Sequence, residues 1–279
     1  MESLRKISTD FPDCSFELSY SFNPDLLEEA VSLLQGRIVS VHALTPKREF
    51  FPNLGWQGAL SWSENEILKD AEYASSLGAR RLVLHPGYAM KDMIYTDTEK
   101  RLIQVEKSPL KNYSIEGFPR IASPDYLNCA EYREAFEVMV ENAVKVSSEV
   151  EKSGVELCFE NLVPRPGYLF IHPKEMHLLS EKGLSLCLDT GHLQVSSAVF
   201  GFDPVTEACS IIETGAVKTM HVHSNGSRDG FYMDSHENPG LYIKDLKKLV
   251  DCARANGAEL ISEVKDDPYL SVNLLTSLY

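Results

Sequence analysis

The chain has 279 residues, 43% hydrophobic and 24% charged, enough to bury one sizeable core within the usual length of a barrel fold. Its net charge of −14 argues against broad, non-specific binding to nucleic acid, which needs a basic surface. No apolar run reaches the roughly 20 residues that span a bilayer, and the opening MESLRKISTDFPDC lacks the apolar centre of a signal peptide, so the chain reads as soluble and cytoplasmic with no membrane partner.

In chain order, a weak first strand is predicted near residues 5–8. Little room follows for a helix before the strand at 15–20, so the first β/α unit is expected to be degenerate. A helical pattern covers 24–34, then a strand covers 37–43. A helix over 64–77 stops at Gly78, and a strand covers 81–85. A helix over 131–152 stops at Gly154, followed by strands at 155–161, 184–189 and 217–222. A helix over 241–256 precedes the last strand, 259–264. Short apolar runs alternating with amphipathic helices predict a parallel (β/α)8 TIM barrel, read as a single domain over 1–279. The segment 87–128 is long for a loop. It interleaves Lys91, Lys100, Arg101, Lys107, Lys111 and Arg120 with Tyr95, Tyr113, Phe118 and Tyr126. A lid over the site is the preferred expectation, a solvated insertion the alternative. The six cysteines show no C-x-x-C spacing and read as reduced thiols, those in the strands buried.

The chemistry lies at the strand ends. The strands finish in Val41-His42-Ala43, Leu84-His85-Pro86-Gly87, Phe159-Glu160-Asn161, Leu188-Asp189-Thr190-Gly191-His192, Met220-His221-Val222-His223 with Asp234-Ser235-His236 beyond, and Ser262-Glu263-Val264. In a parallel barrel these ends converge on one face. Taken singly, His42 reads as a packed strand-end histidine, while Asp189 reads equally as a helix cap or a ligand and Glu263 equally as an ion-pair partner or a ligand. Polar ligands at six successive strand ends are a different matter. Buried together they are costly unless compensated, and a divalent metal compensates by binding carboxylate oxygen and neutral imidazole nitrogen. His223 shares a face with His221 and is a candidate either for substrate contact or for support of a ligand. Asn161 and Arg165 are further candidates for substrate contact. His172 and His177 flank a helical turn and read as surface groups.

These motifs resemble the xylose isomerase-like barrel superfamily, and within it endonuclease IV, over most of the chain from about His42. The resemblance is most specific in Leu84-His85-Pro86-Gly87, Glu160-Asn161, Asp189-Thr190-Gly191-His192 and the spacing His221, Asp234, His236. It implies up to three zinc ions. His42, His85 and Glu160 hold the first. Glu160 bridges to a second held by Asp189, His221 and Glu263, and His192, Asp234 and His236 hold the third. On this reading the chain is a metal-dependent phosphoester hydrolase, with Glu160 or Glu263 orienting the attacking water and paired ions clamping attacking and leaving oxygens. Abasic DNA or another phosphodiester is the substrate. The loop Ser21-Phe22-Asn23-Pro24-Asp25 carries no basic residue to grip DNA. The alternative is a sugar or sugar-phosphate isomerase or epimerase. There Glu160, Asp189, His221 and Glu263 hold one Mn2+-like ion, the two glutamates move a proton beside a carbonyl, and the remaining histidines contact a small-molecule substrate.

Overall fold

Seven strands carry the architecture: β1 (Phe16–Leu18), β2 (Ile38–His42), β3 (Arg81–Leu84), β4 (Glu156–Glu160), β5 (Ser185–Asp189), β6 (Val217–Val222) and β7 (Glu259–Ser262). The computed structural model describes residues 1–115, 121–228 and 230–278. Each strand pairs in parallel with the next in sequence. The sheet is nearly closed into the expected TIM barrel. Strands β1 and β7 are its two edges, and among the described residues no ladder joins them.

Alternation along the strands sorts the side chains into an outer layer and an inner column. Leu82, Leu84, Leu157, Phe159, Leu186 and Leu188 point outward and join the large core beneath the helices. Val83, Cys158 and Cys187 form a separate small cluster inside the barrel. All six cysteines are free thiols, and Cys158 and Cys187 are buried, as expected. One pleat below, Arg81 contacts Glu156 and Glu259, and Ser185 Oγ donates to Glu156 at 2.7 Å. One pleat above this cluster come the ends with Glu160 and Asp189.

Residues 5–8, expected as a weak strand, are part of helix α1 (Glu2–Asp10). Leu4 and Ile7 recur at helical spacing; Ile7 is buried and Leu4 packs against the core. Helix α1 lies against α11 (Pro268–Leu278), with Tyr269 donating to Asp10 at 3.0 Å. Arg37 ties the end of α1 to the start of β2 through the carbonyls of Ser8, Phe11 and Cys14. The degeneracy expected of the first unit thus takes the form of a missing strand.

The other helices are α2 (Leu27–Leu33), α3 (Leu60–Ser76), α4 (Thr98–Lys107), α5 (Ala130–Val150), α6 (Pro173–Glu181), α7 (Thr190–Phe200), α8 (Pro204–Ile212), α9 (Pro239–Tyr242) and α10 (Leu246–Ala255). Gly78 and Gly154 follow α3 and α5 with φ of 73° and 76°, left-handed positions that glycine takes without steric cost. The helix expected over 241–256 is broken between α9 and α10, where Ile243 turns extended and sinks into the core.

Among its described residues, the segment after β3 packs several side chains into the core. Tyr88, Ile94, Leu110 and Tyr126 are fully buried in the main core. Residues Phe50–Phe51 and Ile94–Tyr95 pair antiparallel. Arg101, one of its cations, is buried, donating to Tyr168 Oη at 2.9 Å and to the Tyr95 carbonyl at 2.7 Å. Phe118 and Arg120 lie outside the described residues.

Candidate metal centre

Parity sets which side chains reach the centre. On β2, Ser40 and His42 point inward, and β4 and β5 contribute Glu160 and Asp189 above their cysteines. Strand β6 contributes His221, with His223 one period beyond. Asp189 also caps α7, accepting from His192 N at 2.6 Å, and that first turn swings His192 over the barrel. Asn161 braces the same corner, accepting from Asp189 N at 2.7 Å and donating to its carbonyl at 3.0 Å.

The ligands expected from the sequence, together with His223, meet in three contiguous groups, each with one donor atom per residue lying within 4.8 Å of the others. His42, His85 and Glu160 form the first, with His42 Nε2 and His85 Nε2 at 2.9 and 3.3 Å from Glu160 Oε2. Glu160, Asp189, His221 and Glu263 form the second; His221 Nδ1 stands 3.0 Å from Glu263 and 3.4 Å from Glu160. His192, His223, Asp234 and His236 form the third, with Asp234 Oδ1 3.3 Å from His236 Nε2. His236 has φ of 53°, a left-handed conformation costing about 1–3 kcal/mol, and its Nδ1 lies 3.2 Å from the Glu263 carbonyl oxygen.

His223 is wholly buried. Its Nε2 bonds Asp189 Oδ2 at 3.0 Å and its ring stacks on His236 at 3.9 Å. A Cβ at Gly191 would come within 1.9 Å of the His223 ring, so the glycine after Asp189-Thr190 makes room for this imidazole. Arg165 Nη2 reaches Asp234 at 3.5 Å.

The charges are mutually stabilised. Burial works against ionised Glu160, yet His221, His85 and His42 hold it well below the usual carboxylate range. Asp189 is likewise lowered, by His192 and His223 against burial. Burial opposes a charge on His192, but Asp189, Asp234 and Glu160 raise it to about 9. His85 moves the other way, lowered by burial beyond what Glu160 restores. Several donors still lack an aligned partner: both nitrogens of His221, Asp234 Oδ1 and Glu263 Oε2 are buried without a hydrogen bond. Orphaned imidazole nitrogens and carboxylate oxygens aimed at common points fit a divalent cation.

Three nearby residues, Glu17, Ser40 and Tyr20, were missed from the sequence, and Cys187 was read there only as a buried thiol. Glu17 on β1 lies 2.9 Å from His221 Nε2, and Ser40 Oγ donates to it at 2.6 Å. Tyr20 packs its ring 5.0 Å from His42, and burial together with Glu160 pushes its hydroxyl pKa up. Cys187 lies against Glu160 and His221. The available signal was a lone carboxylate inside a short apolar strand. His172 is only partly exposed; it caps α6 by accepting from Lys174 N at 3.1 Å, and His177 faces Ser210.

No curated protein matches the sequence. Solved structures do match in fold. A D-tagatose 3-epimerase-like protein shares 16% identity at TM-score 0.62, covering 99% of this chain and 94% of its own. The 3-keto-D-glucoside 4-epimerase of E. coli shares 10% identity at TM-score 0.62, over 99% and 95%. A Thermus thermophilus protein soaked with ZnCl2 shares 17% identity at TM-score 0.55, over 95% and 97%. The family model described as xylose isomerase-like TIM barrel matches residues 11–273, and with a barrel whose polar donors gather at one end, the chain belongs to that family.

Proposed function

We propose that the chain is a divalent-metal-dependent isomerase or epimerase of a small carbohydrate. The observation that carries this reading is the group Glu160, Asp189, His221 and Glu263, with three carboxylates and one imidazole around one point. That donor set suits a hard or borderline cation such as Mn2+. Its two glutamates differ in access. The Glu160 side chain is 2% exposed at the floor, whereas that of Glu263 is 37% exposed at the mouth. One carboxylate takes a proton from the carbon beside a carbonyl. The other returns a proton to the opposite face of that carbon, or to its neighbour. A bound cation would polarise the carbonyl oxygen. His192 and His236 stand at the mouth to hold hydroxyls, with Asn161 and Arg165 behind them. The net charge of −14 suits an uncharged sugar better than a polyanion such as DNA, and epimerase names among the similar structures support the same class.

One observation favours a second reading, phosphoester hydrolysis at a three-ion centre. The first and second groups share Glu160, and His192, Asp234 and His236 complete the nine-residue set expected from the sequence. Glu160 or Glu263 would then orient water.

Two measurements separate the readings. Elemental analysis of chain purified without chelator or added metal gives the ion count, expected near one and rich in manganese for the isomerase. Incubation of 3- and 4-epimeric ketoses in D2O should place deuterium at the reacting carbon, and Glu263→Gln should remove it. About three zinc ions per chain, phosphodiester cleavage and no deuterium uptake would sink the isomerase reading. His236→Ala should leave the count unchanged in the one-ion case and lower it in the three-ion case.

A further inference from the structure

We propose that Glu17 is a positioning residue: it fixes which nitrogen of His221 faces the ligand group and so sets metal affinity there. The inference rests on the metal-binding reading above. Glu17 lies on the edge strand β1, and its side chain is 6% exposed. The β1–β2 register slips between Phe16 and Glu17, so Phe16 faces Ile38 while Glu17 faces Ser40. Such an irregularity re-aims a side chain, and here the carboxylate points into the barrel. Its Oε2 accepts from Ser40 Oγ at 2.6 Å, and Ser40 is itself buried.

The other site histidines show what is unusual about His221. His42, His192 and His236 each place Nδ1 against a backbone carbonyl, of Ala43, Asn161 and Glu263, at 3.2, 2.9 and 3.2 Å. A neutral ring that gives its Nδ1 proton to a carbonyl offers Nε2 as ligand atom. His221 is turned the opposite way. Its Nδ1 faces Glu263, Glu160 and Asp189 at 3.0, 3.4 and 3.9 Å, and neither ring nitrogen makes an aligned hydrogen bond. Glu17 Oε1, 2.9 Å from Nε2, stands where the carbonyl stands for the others. A carboxylate that close favours the proton on Nε2 and so leaves the Nδ1 lone pair to the group.

The test is competition between the purified chain and a chromophoric zinc chelator, beside thermal melting of the metal-free protein. Glu17→Ala should weaken zinc binding by about 10- to 100-fold, the usual cost of losing a carboxylate behind a ligand histidine. Glu17→Gln keeps an acceptor oxygen but loses the charge, so its loss should be smaller, about 3- to 10-fold. Metal-free Glu17→Gln should melt near metal-free wild type because it keeps an acceptor for Ser40 Oγ, whereas Glu17→Ala strands that buried hydroxyl and should melt lower. A folded Glu17→Gln or Glu17→Ala chain that binds zinc as tightly as wild type overturns the inference. So does an affinity loss in Glu17→Gln matched by a lower metal-free melting temperature of that variant, which would make Glu17 merely structural. If Glu17→Ala does not fold, Glu17→Gln decides alone. Wild-type chain that binds no divalent ion overturns the metal reading itself, and the same titration reports it.

Discussion

His192 shows what single side chains at the centre must give up to bind an ion. Three carboxylates raise it to about 9 despite its burial, so without metal it keeps a proton through neutral pH. In the three-ion reading His192 is a ligand, so its imidazole must be neutral and that proton must leave. Between the ordinary histidine value and about 9, the metal-free protein therefore holds a proton that the bound form lacks. Zinc affinity should rise with pH across this window by about tenfold per unit for each proton displaced, then level off. Chelator competition at several pH values reads the slope, and an affinity flat across the window would exclude His192 as a ligand. The candidate ligands at the strand ends were legible because each of those strands is a distinct apolar run. Glu17 was not, because its role depends on a register slip and on a partner, His221, far along the chain, neither of which a local pattern carries.

At the scale of elements, α6 shows a cap with a pH dependence. Glu175 accepts from Ile171 N at 2.8 Å and His172 N at 3.0 Å, and Tyr132 donates to it at 2.6 Å. Burial raises its carboxyl to about 7 against these lowering bonds. The folded value lies above the unfolded one, so the native state binds the proton more tightly. Stability is then lost as pH rises from about 4.5 to about 7. Glutamine mimics the protonated form, with its oxygen toward the two amides and its nitrogen toward Tyr132. Glu175→Gln should therefore gain on the order of 1 kcal/mol over wild type at about pH 8 and little at about pH 5. Denaturant melts at both pH values check this, and equal differences would contradict it. Strand–helix alternation made most of these elements readable in sequence. The exceptions have physical causes: α1 has too few residues for its 3.6 period to stand out, and the break before α10 comes from Ile243 entering the core.

For the whole molecule, the centre concentrates like charge in a small volume, and a bound cation offsets it. A ligand that binds only the folded chain stabilises it by about 2.7 kcal/mol at a hundredfold excess over its Kd. Melting temperature should rise with added Mn2+ or Zn2+ and fall back with chelator; an unchanged temperature would mean that the centre binds neither ion. The unpaired edges of β1 and β7 add a mechanical side to this. A sheet that stops short of closure has a weakest line, where backbone amides have no partner strand and opening begins. Glu17 comes from the strand on one side of that line and Glu263 follows the strand on the other, and both touch His221. Glu17 reaches across the gap to His221, and an ion gripped by His221 and Glu263 would tighten that tie between the two sides. Amides of the two edge strands should then exchange with solvent far more slowly in the loaded protein, while those of β3 to β5 change little.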